Sequence, residues 1–121
     1  VAVAHAGWRG LAAGVLEATV SALPSAPEAL RAWIGPRIGV ERYEVDERVR
    51  DAFDESEPFF RPGRPGHWQA DLSGLAASRL RRAGVPRISD SGLCTAMLGD
   101  RFFSYRRDGQ TGRIATLAWI G

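Results

Sequence analysis

Apolar residues at Trp8, Leu11, Ala12, Val15, Leu16 and Leu23 recur three and four positions apart and predict one helix over residues 9–22, closed by Pro24 and Pro27. The run before it, residues 1–4, is short, apolar and unbroken up to His5, and predicts a buried strand. Ala6-Gly7-Trp8-Arg9-Gly10 between them reads as a glycine-flanked turn. Residues 30–34 predict a second strand, ended by Gly35-Pro36, and residues 43–45 a short extended piece. Asp46 is placed to cap a helix carrying Val49, Ala52 and Phe53. Residues 56–70 hold Pro58, Pro62, Pro65, Gly63 and Gly66 and predict a long irregular surface loop. Asp71 caps the next helix, whose stripe is Leu72, Leu75, Ala76, Leu80 and Ala83, with Gly84 as its stop. Strands are predicted over residues 87–91, 102–105 and 113–120, the last two joined by a hairpin-like turn at Asp108-Gly109. Strands that alternate with helices place the chain in the α/β or α+β class.

At 121 residues the chain fits a single domain, residues 1–121, with room for a real core. No apolar run reaches the ~18 residues of a membrane span, and no basic segment followed by an apolar stretch reads as a signal peptide. All 16 basic residues are arginine, yet the net charge is only +2 because acids are spread between them. No basic stripe for nucleic acid results, and Arg79, Arg81 and Arg82 read as a solvated helix face. One cysteine, Cys94, rules out a disulfide within the chain and points to a reducing compartment, so the cytoplasm is the expected location.

Four features carry candidate chemistry. His5 ends a strand just before a glycine turn and a helix, where open α/β sheets bind ligands; it can ligate a metal, act as a base or simply pack. Gly7 and Gly10 allow close backbone approach, and Arg9 at the helix start suggests either an anion partner or a solvated side chain. Cys94, after Gly92 and before Thr95, is a nucleophile, a metal ligand or an inert small side chain. Tyr105-Arg106-Arg107-Asp108-Gly109 is an arginine-rich turn. If it is a strand, one of Arg106 and Arg107 faces inward, to an anionic substrate or to a carboxylate such as Glu44 or Asp90. A catalytic zinc takes three protein ligands, and only His5, His67 and Cys94 are soft candidates; His67, in the proline-rich loop, reads as exposed.

Together these residues resemble one family. The stretch Ala2-Val3-Ala4-His5-Ala6-Gly7-Trp8-Arg9-Gly10 looks like the signature of the polyphenol-oxidase or laccase-domain family, whose members are also called multicopper polyphenol oxidases, purine nucleoside phosphorylases and peptidoglycan-editing factors. Further blocks agree in order: Trp33-Ile34-Gly35-Pro36 with Ile38-Gly39 and Tyr43-Glu44-Val45; Trp68 with Asp71-Leu72 and Gly84-Val85; Cys94-Thr95 with residues 102–109 and Thr111-Gly112-Arg113. Arg37 and Arg42 stand where the family often has cysteine.

The resemblance implies a layered sandwich of helices and mixed sheets, similar to the cytotoxic-necrotizing-factor and cysteine-hydrolase architecture and incomplete in this chain. It implies a zinc held by two histidines and a cysteine. His5 matches the last of these ligands, the other two are expected upstream of Val1, and Cys94 matches a different family cysteine. The chain is therefore expected to be a C-terminal half whose N-terminal half is missing. The implied activity is phosphorolysis of adenosine, inosine, guanosine and methylthioadenosine, with adenosine deamination as a side activity. Purine nucleoside and phosphate are then the partners, His5, Arg9 and Cys94 the catalytic candidates, and Gly7, Trp8, Glu44, Arg106 and Arg107 the substrate contacts. Copper chemistry fits less well, since several coppers need many histidine and cysteine ligands and the chain has two and one. Two alternatives stand beside this reading: a Cys94–His5 hydrolase of amidase or peptidoglycan-editing type, and an inactive truncated fragment.

Overall fold

Two small sheets, one parallel and one antiparallel, carry the helices of a mixed α/β chain. The computed structural model describes residues 1–54 and 58–121. Strands β1 (Arg31–Ile34) and β5 (Arg87–Asp90) pair in parallel, Arg31 opposite Arg87 and Ile34 opposite Asp90. Strands β2 (Glu44–Asp46), β3 (Phe60–Pro62) and β4 (His67–Ala70) form the antiparallel sheet, with β4 in the middle.

Helix α4 (Leu72–Arg82) follows its sequence signals closely. The Asp71 carboxylate accepts from the backbone N–H of Gly74 at 3.0 Å and of the Ser73 hydroxyl at 2.9 Å, which satisfies the first turn. At the other end Gly84 takes φ +93°, Gly84 N–H bonds to Arg81 O and Val85 N–H to Leu80 O. That is the double bond of a Schellman stop, and Leu80 and Val85 pack together across it. The helix buries Leu75, Ala76 and Leu80 and leaves Leu72 and Ala83 half-buried.

The main core joins Leu75 and Ala76 to Leu11, Tyr43, Val45, Val49, Phe53 and Ala70. A second cluster holds Val20, Leu80 and Val85 beneath the parallel pair. Helix α3 (Glu47–Arg50) starts where expected, with the Asp46 carboxylate accepting from Val49 N–H at 3.3 Å. Arg79 is not part of a solvated face. Its side chain is only 13% exposed, 4.0 Å from Glu17 and over the Phe53 ring, because position 79 lies on the α4 flank that meets α2.

Several predicted elements differ. The single helix over residues 9–22 is two, α1 (Trp8–Ala12) and α2 (Val15–Ala22), broken where Gly14 takes φ +84°. Residues 1–4 lie in no ladder and expose Val1 and Val3, since apolar character alone supplies no partner for a strand's N–H and C=O groups. The predicted loop over 56–70 holds the β3–β4 hairpin; its Ser56 end lies outside the described residues. Residues 102–105 are not a strand. Ser104 instead caps a one-turn helix, α5 (Tyr105–Asp108), accepting from Arg107 N–H at 3.4 Å, and Gly109 at φ +72° ends that helix in place of a hairpin. Residues 113–120 take no regular structure and leave Leu117, Trp119 and Ile120 about four-fifths exposed.

Candidate functional site

Gly7 is the N-cap of α1, with extended φ/ψ and its carbonyl accepting from Leu11 N–H at 2.9 Å. The buried Leu11 anchors that helix in the core, so the turn before it is fixed. A Cβ added to Gly7 would lie 3.6 Å from Nε2 of His5, so the exposed imidazole leans back over the turn. One at Gly10 would meet Val15 at 3.2 Å, and the bare glycine lets α2 close on the turn. Arg9 stacks its guanidinium 4.4 Å above the Trp8 ring, with Arg48 at 5.7 Å from the same ring. The indole face is therefore what the Arg9 guanidinium meets in this structure.

Beside the turn lies a cleft of about 240 Å³ lined by Trp8, Tyr43, Glu44, Asp46, Arg48, His67 and Arg106, among others. Strands β2 and β4 place Asp46 opposite His67 across the antiparallel ladder, and α5 lays Arg106 over it. Arg106 donates from Nη1 to the backbone carbonyl of Glu44 at 2.7 Å and stands 5.2 Å from the Tyr43 ring. Burial pushes the Tyr43 phenol above its ordinary value, with Arg106 and Arg9 partly opposing it. The Glu44 carboxylate accepts from Nε and Nη2 of Arg64 at 3.1 and 3.0 Å, and that bond holds it below the usual carboxylate range. His67 is not simply exposed in a loop. Its Nδ1 is 3.1 Å from Pro65 O and its Nε2 is 3.0 Å from Arg64 Nη2, a pairing met by a neutral ring protonated on Nδ1.

Neither predicted carboxylate partner of the arginine pair is used that way. Glu44 pairs with Arg64 and Asp90 with Arg37, at 2.8 Å. Arg107 grips Asp108 through two bonds of 2.7 and 2.6 Å and donates to the carbonyls of Thr95, Ala96 and Phe102. It ties α5 to the segment after Cys94. That segment is in turn joined to residue 37 by a parallel bridge, Arg37 opposite Cys94. The Cys94 thiol accepts from Gly39 N–H at 3.1 Å. No hydrogen bond joins His5 to Cys94 among the described residues, so the two do not form a nucleophile–base pair here.

A family model described as multi-copper polyphenol oxidoreductase laccase matches residues 1–121. The chain belongs to this family. A protein of Xylella fastidiosa named purine nucleoside phosphorylase is 53% identical over 127 residues, covering 100% of this chain and 49% of that protein. Purine nucleoside phosphorylase YfiH of Escherichia coli is 46% identical over 125 residues, covering 99% of this chain and 51% of its own length. A solved structure from Neisseria meningitidis superposes with a TM-score of 0.82 at 42% identity, covering 88% of this chain and 46% of that one. The chain spans about half the length of the curated relatives it matches.

In this laccase-family chain His5 is the residue that the resemblance assigns to a zinc. Among the described residues no three histidine, cysteine or acidic side chains group to hold a metal, and His5 stands exposed and without a hydrogen bond. One imidazole is not a three-ligand site. The cleft also contains residues that the sequence reading did not name as substrate contacts: Tyr43, Asp46, Arg48 and His67. The one available signal was alternation on either side of the Pro/Gly-rich stretch, which would have paired residues 44–46 with residues 67–69.

Proposed function

We propose that this chain carries part of the active site of a purine nucleoside phosphorylase. The observation that carries the reading is the cleft itself. It joins an indole, a buried phenol, two carboxylates and two guanidiniums beside the family's His5 turn, in a chain about half identical to a protein bearing that name. The indole and phenol suit a purine base. In the reaction the bond from C1′ of the ribose to the purine nitrogen breaks, and phosphate oxygen bonds to C1′. The carboxylates of Glu44 and Asp46 suit the ribosyl cation character at C1′, and a guanidinium suits the incoming anion. At about 240 Å³ the cleft is smaller than the ~300–1,000 Å³ of a complete ligand site, which fits a chain half as long as its relatives.

His5 would supply one ligand to a zinc completed by residues outside this chain, and a layered sandwich would complete the fold. Purine nucleosides and phosphate are the proposed partners, and the cytoplasm the proposed location. No helix of the described residues is long and apolar enough to cross a membrane. The test is release of hypoxanthine from inosine by a protein of the relatives' length carrying this chain. Phosphate-dependent release with equimolar ribose 1-phosphate is the expected result. Release that does not need phosphate, or none at all, overturns the reading. His5→Ala should lower both zinc content and release; unchanged values would remove the zinc role.

A further inference from the structure

A second cavity of about 180 Å³ adjoins the cleft and shares Arg106 with it; its lining is Arg42, Ala96, Arg106 and Arg107. Guanidiniums do not lose their protons near neutral pH, so their mutual repulsion is relieved only by water or by an anion. Arg107 is fully engaged: Asp108 and three carbonyls take its donors, and it forms a fixed wall. Arg106 is anchored by one nitrogen, Nη1 on Glu44 O, and among the described residues its Nε and Nη2 donate to nothing. Arg42 ends the short 3₁₀ turn Val40–Arg42, and among the described residues its side chain has no hydrogen bond or ion pair. Glu44, the carboxylate whose charge acts on Arg106, is already engaged by Arg64.

We propose that Arg42 and Arg106 form a binding site for a tetrahedral oxyanion of phosphate type, seated in this cavity against the wall of Ala96 and Arg107. The unpaired guanidinium of Arg42 and the open Nε–Nη2 edge of Arg106, both lining one small cavity, match the several acceptor oxygens of phosphate, and Arg106 is pre-positioned by the Glu44 carbonyl. As the phosphate subsite of phosphorolysis it rests on the function proposed above; as an oxyanion site it rests on the arginines alone.

The experiment is calorimetric titration of the full chain with inorganic phosphate, then with methyl phosphate, at constant ionic strength. Saturable binding is expected, weakened ~10-fold in Arg42→Ala as a charge-assisted bond is lost. Arg42→Lys should recover only part of it, because an ammonium lacks the fork. Arg31→Ala removes an equal charge from β1, outside the cavity, and should bind as the wild type does. Circular dichroism of each variant confirms that it is folded. Tighter binding of methyl phosphate supports an ester as the ligand, and equal or weaker binding supports inorganic phosphate. No saturable binding, an unchanged affinity in Arg42→Ala, or an equal loss in Arg31→Ala overturns the site. In a phosphorolytic protein of the relatives' length, an unchanged KM for phosphate in Arg42→Ala overturns the site and keeps the function. Phosphate binding that depends on Arg42 without phosphorolysis does the reverse.

Discussion

The backbone N–H of Gly39 meets the Sγ of Cys94 at 3.1 Å, from 55 positions away in the chain. Around this contact Arg37 N–H donates to Leu93 O and Thr95 N–H to Arg37 O, so two distant segments are laced into one short parallel bridge. The thiol therefore sits in a field set by backbone. Burial raises its pKa, but the N–H groups of Gly39, Met97 and Ala96 and the charge of Arg37 outweigh burial and bring it below the ordinary thiol value.

Cys94 should thus react with iodoacetamide in the folded chain with a pH midpoint below that measured in urea. A lowered folded pKa also sets the sign of linkage. The thiolate contributes no stability in acid; its contribution grows as pH rises through the folded pKa and levels off above the unfolded one. A Gly39→Ala Cβ would sit 3.3 Å from both Cβ and Sγ of Cys94, pushing the thiol off its donor and raising the alkylation midpoint. Identical midpoints in folded and unfolded chain would refute the effect.

Gly74 is the tightest helical glycine. A Cβ there would lie 2.5 Å from Asp71 Oδ2 and 2.5 Å from Cδ1 of Phe59. The carboxylate cannot withdraw without giving up its bonds to Gly74 N–H and Ser73, and Phe59 packs on the main core. Gly74→Ala should therefore destabilise the chain by about 2–3 kcal/mol, at the upper end of overpacking costs, despite alanine's better helix propensity. Asp71→Ala should cost about 1 kcal/mol as a lost cap. Urea denaturation of both variants gives the comparison, and an alanine at 74 that stabilises would show that Phe59 moves freely.

Leu11, 1% exposed, connects the core to the His5 turn. Leu11→Ala should cost about 2–5 kcal/mol, as buried leucine truncations do. It should also loosen α1 before the rest of the chain, because that helix has five residues and one buried anchor. Hydrogen exchange at the amides of Leu11 and Ala13, which close the α1 turn, reads this directly. Equal loss of protection in α4 would mean that unfolding is global instead.

What the chain disclosed about itself depended on how local each signal was. Helix α4 was legible at both ends because its stripe, its Asp71 cap and its Gly84 stop all lie within fourteen residues of sequence. The β3–β4 hairpin was hidden by prolines that normally argue against strands. Pro62 is tolerated because β3 is the edge of the sheet, where a missing N–H removes no second ladder. The turn at residues 105–108 is too short for periodicity to register, and the largely apolar run over residues 113–120 reads as a strand although it joins no ladder among the described residues. The His5 turn stood out through its glycines. Of the cleft, the resemblance had named Trp8, Glu44 and Arg106, whereas Tyr43, Asp46, Arg48 and His67 come from separate segments and join them only after folding.

Arg106 and Tyr43 allow that convergence to be tested without substrate. The phenol is raised by burial and lowered by the guanidiniums of Arg106 and Arg9. Removing one of them in Arg106→Ala should move the Tyr43 pKa further upward, while Arg106→Lys should leave it near the parent value because the positive charge remains. Ultraviolet absorbance titration in a Tyr105→Phe background isolates the Tyr43 phenol, since the chain has two tyrosines. The linked stability has a definite sign. With the folded pKa above the unfolded one, Tyr43's contribution is complete below the unfolded value and is lost as pH rises through the folded one. Arg106→Ala should therefore extend the loss to higher pH, provided that the helix turn at residues 105–108 still lies over β2. A Tyr43 titration that does not move between wild type and Arg106→Ala would place the guanidinium elsewhere in solution. Both the cleft and the oxyanion cavity would then lose their shared wall.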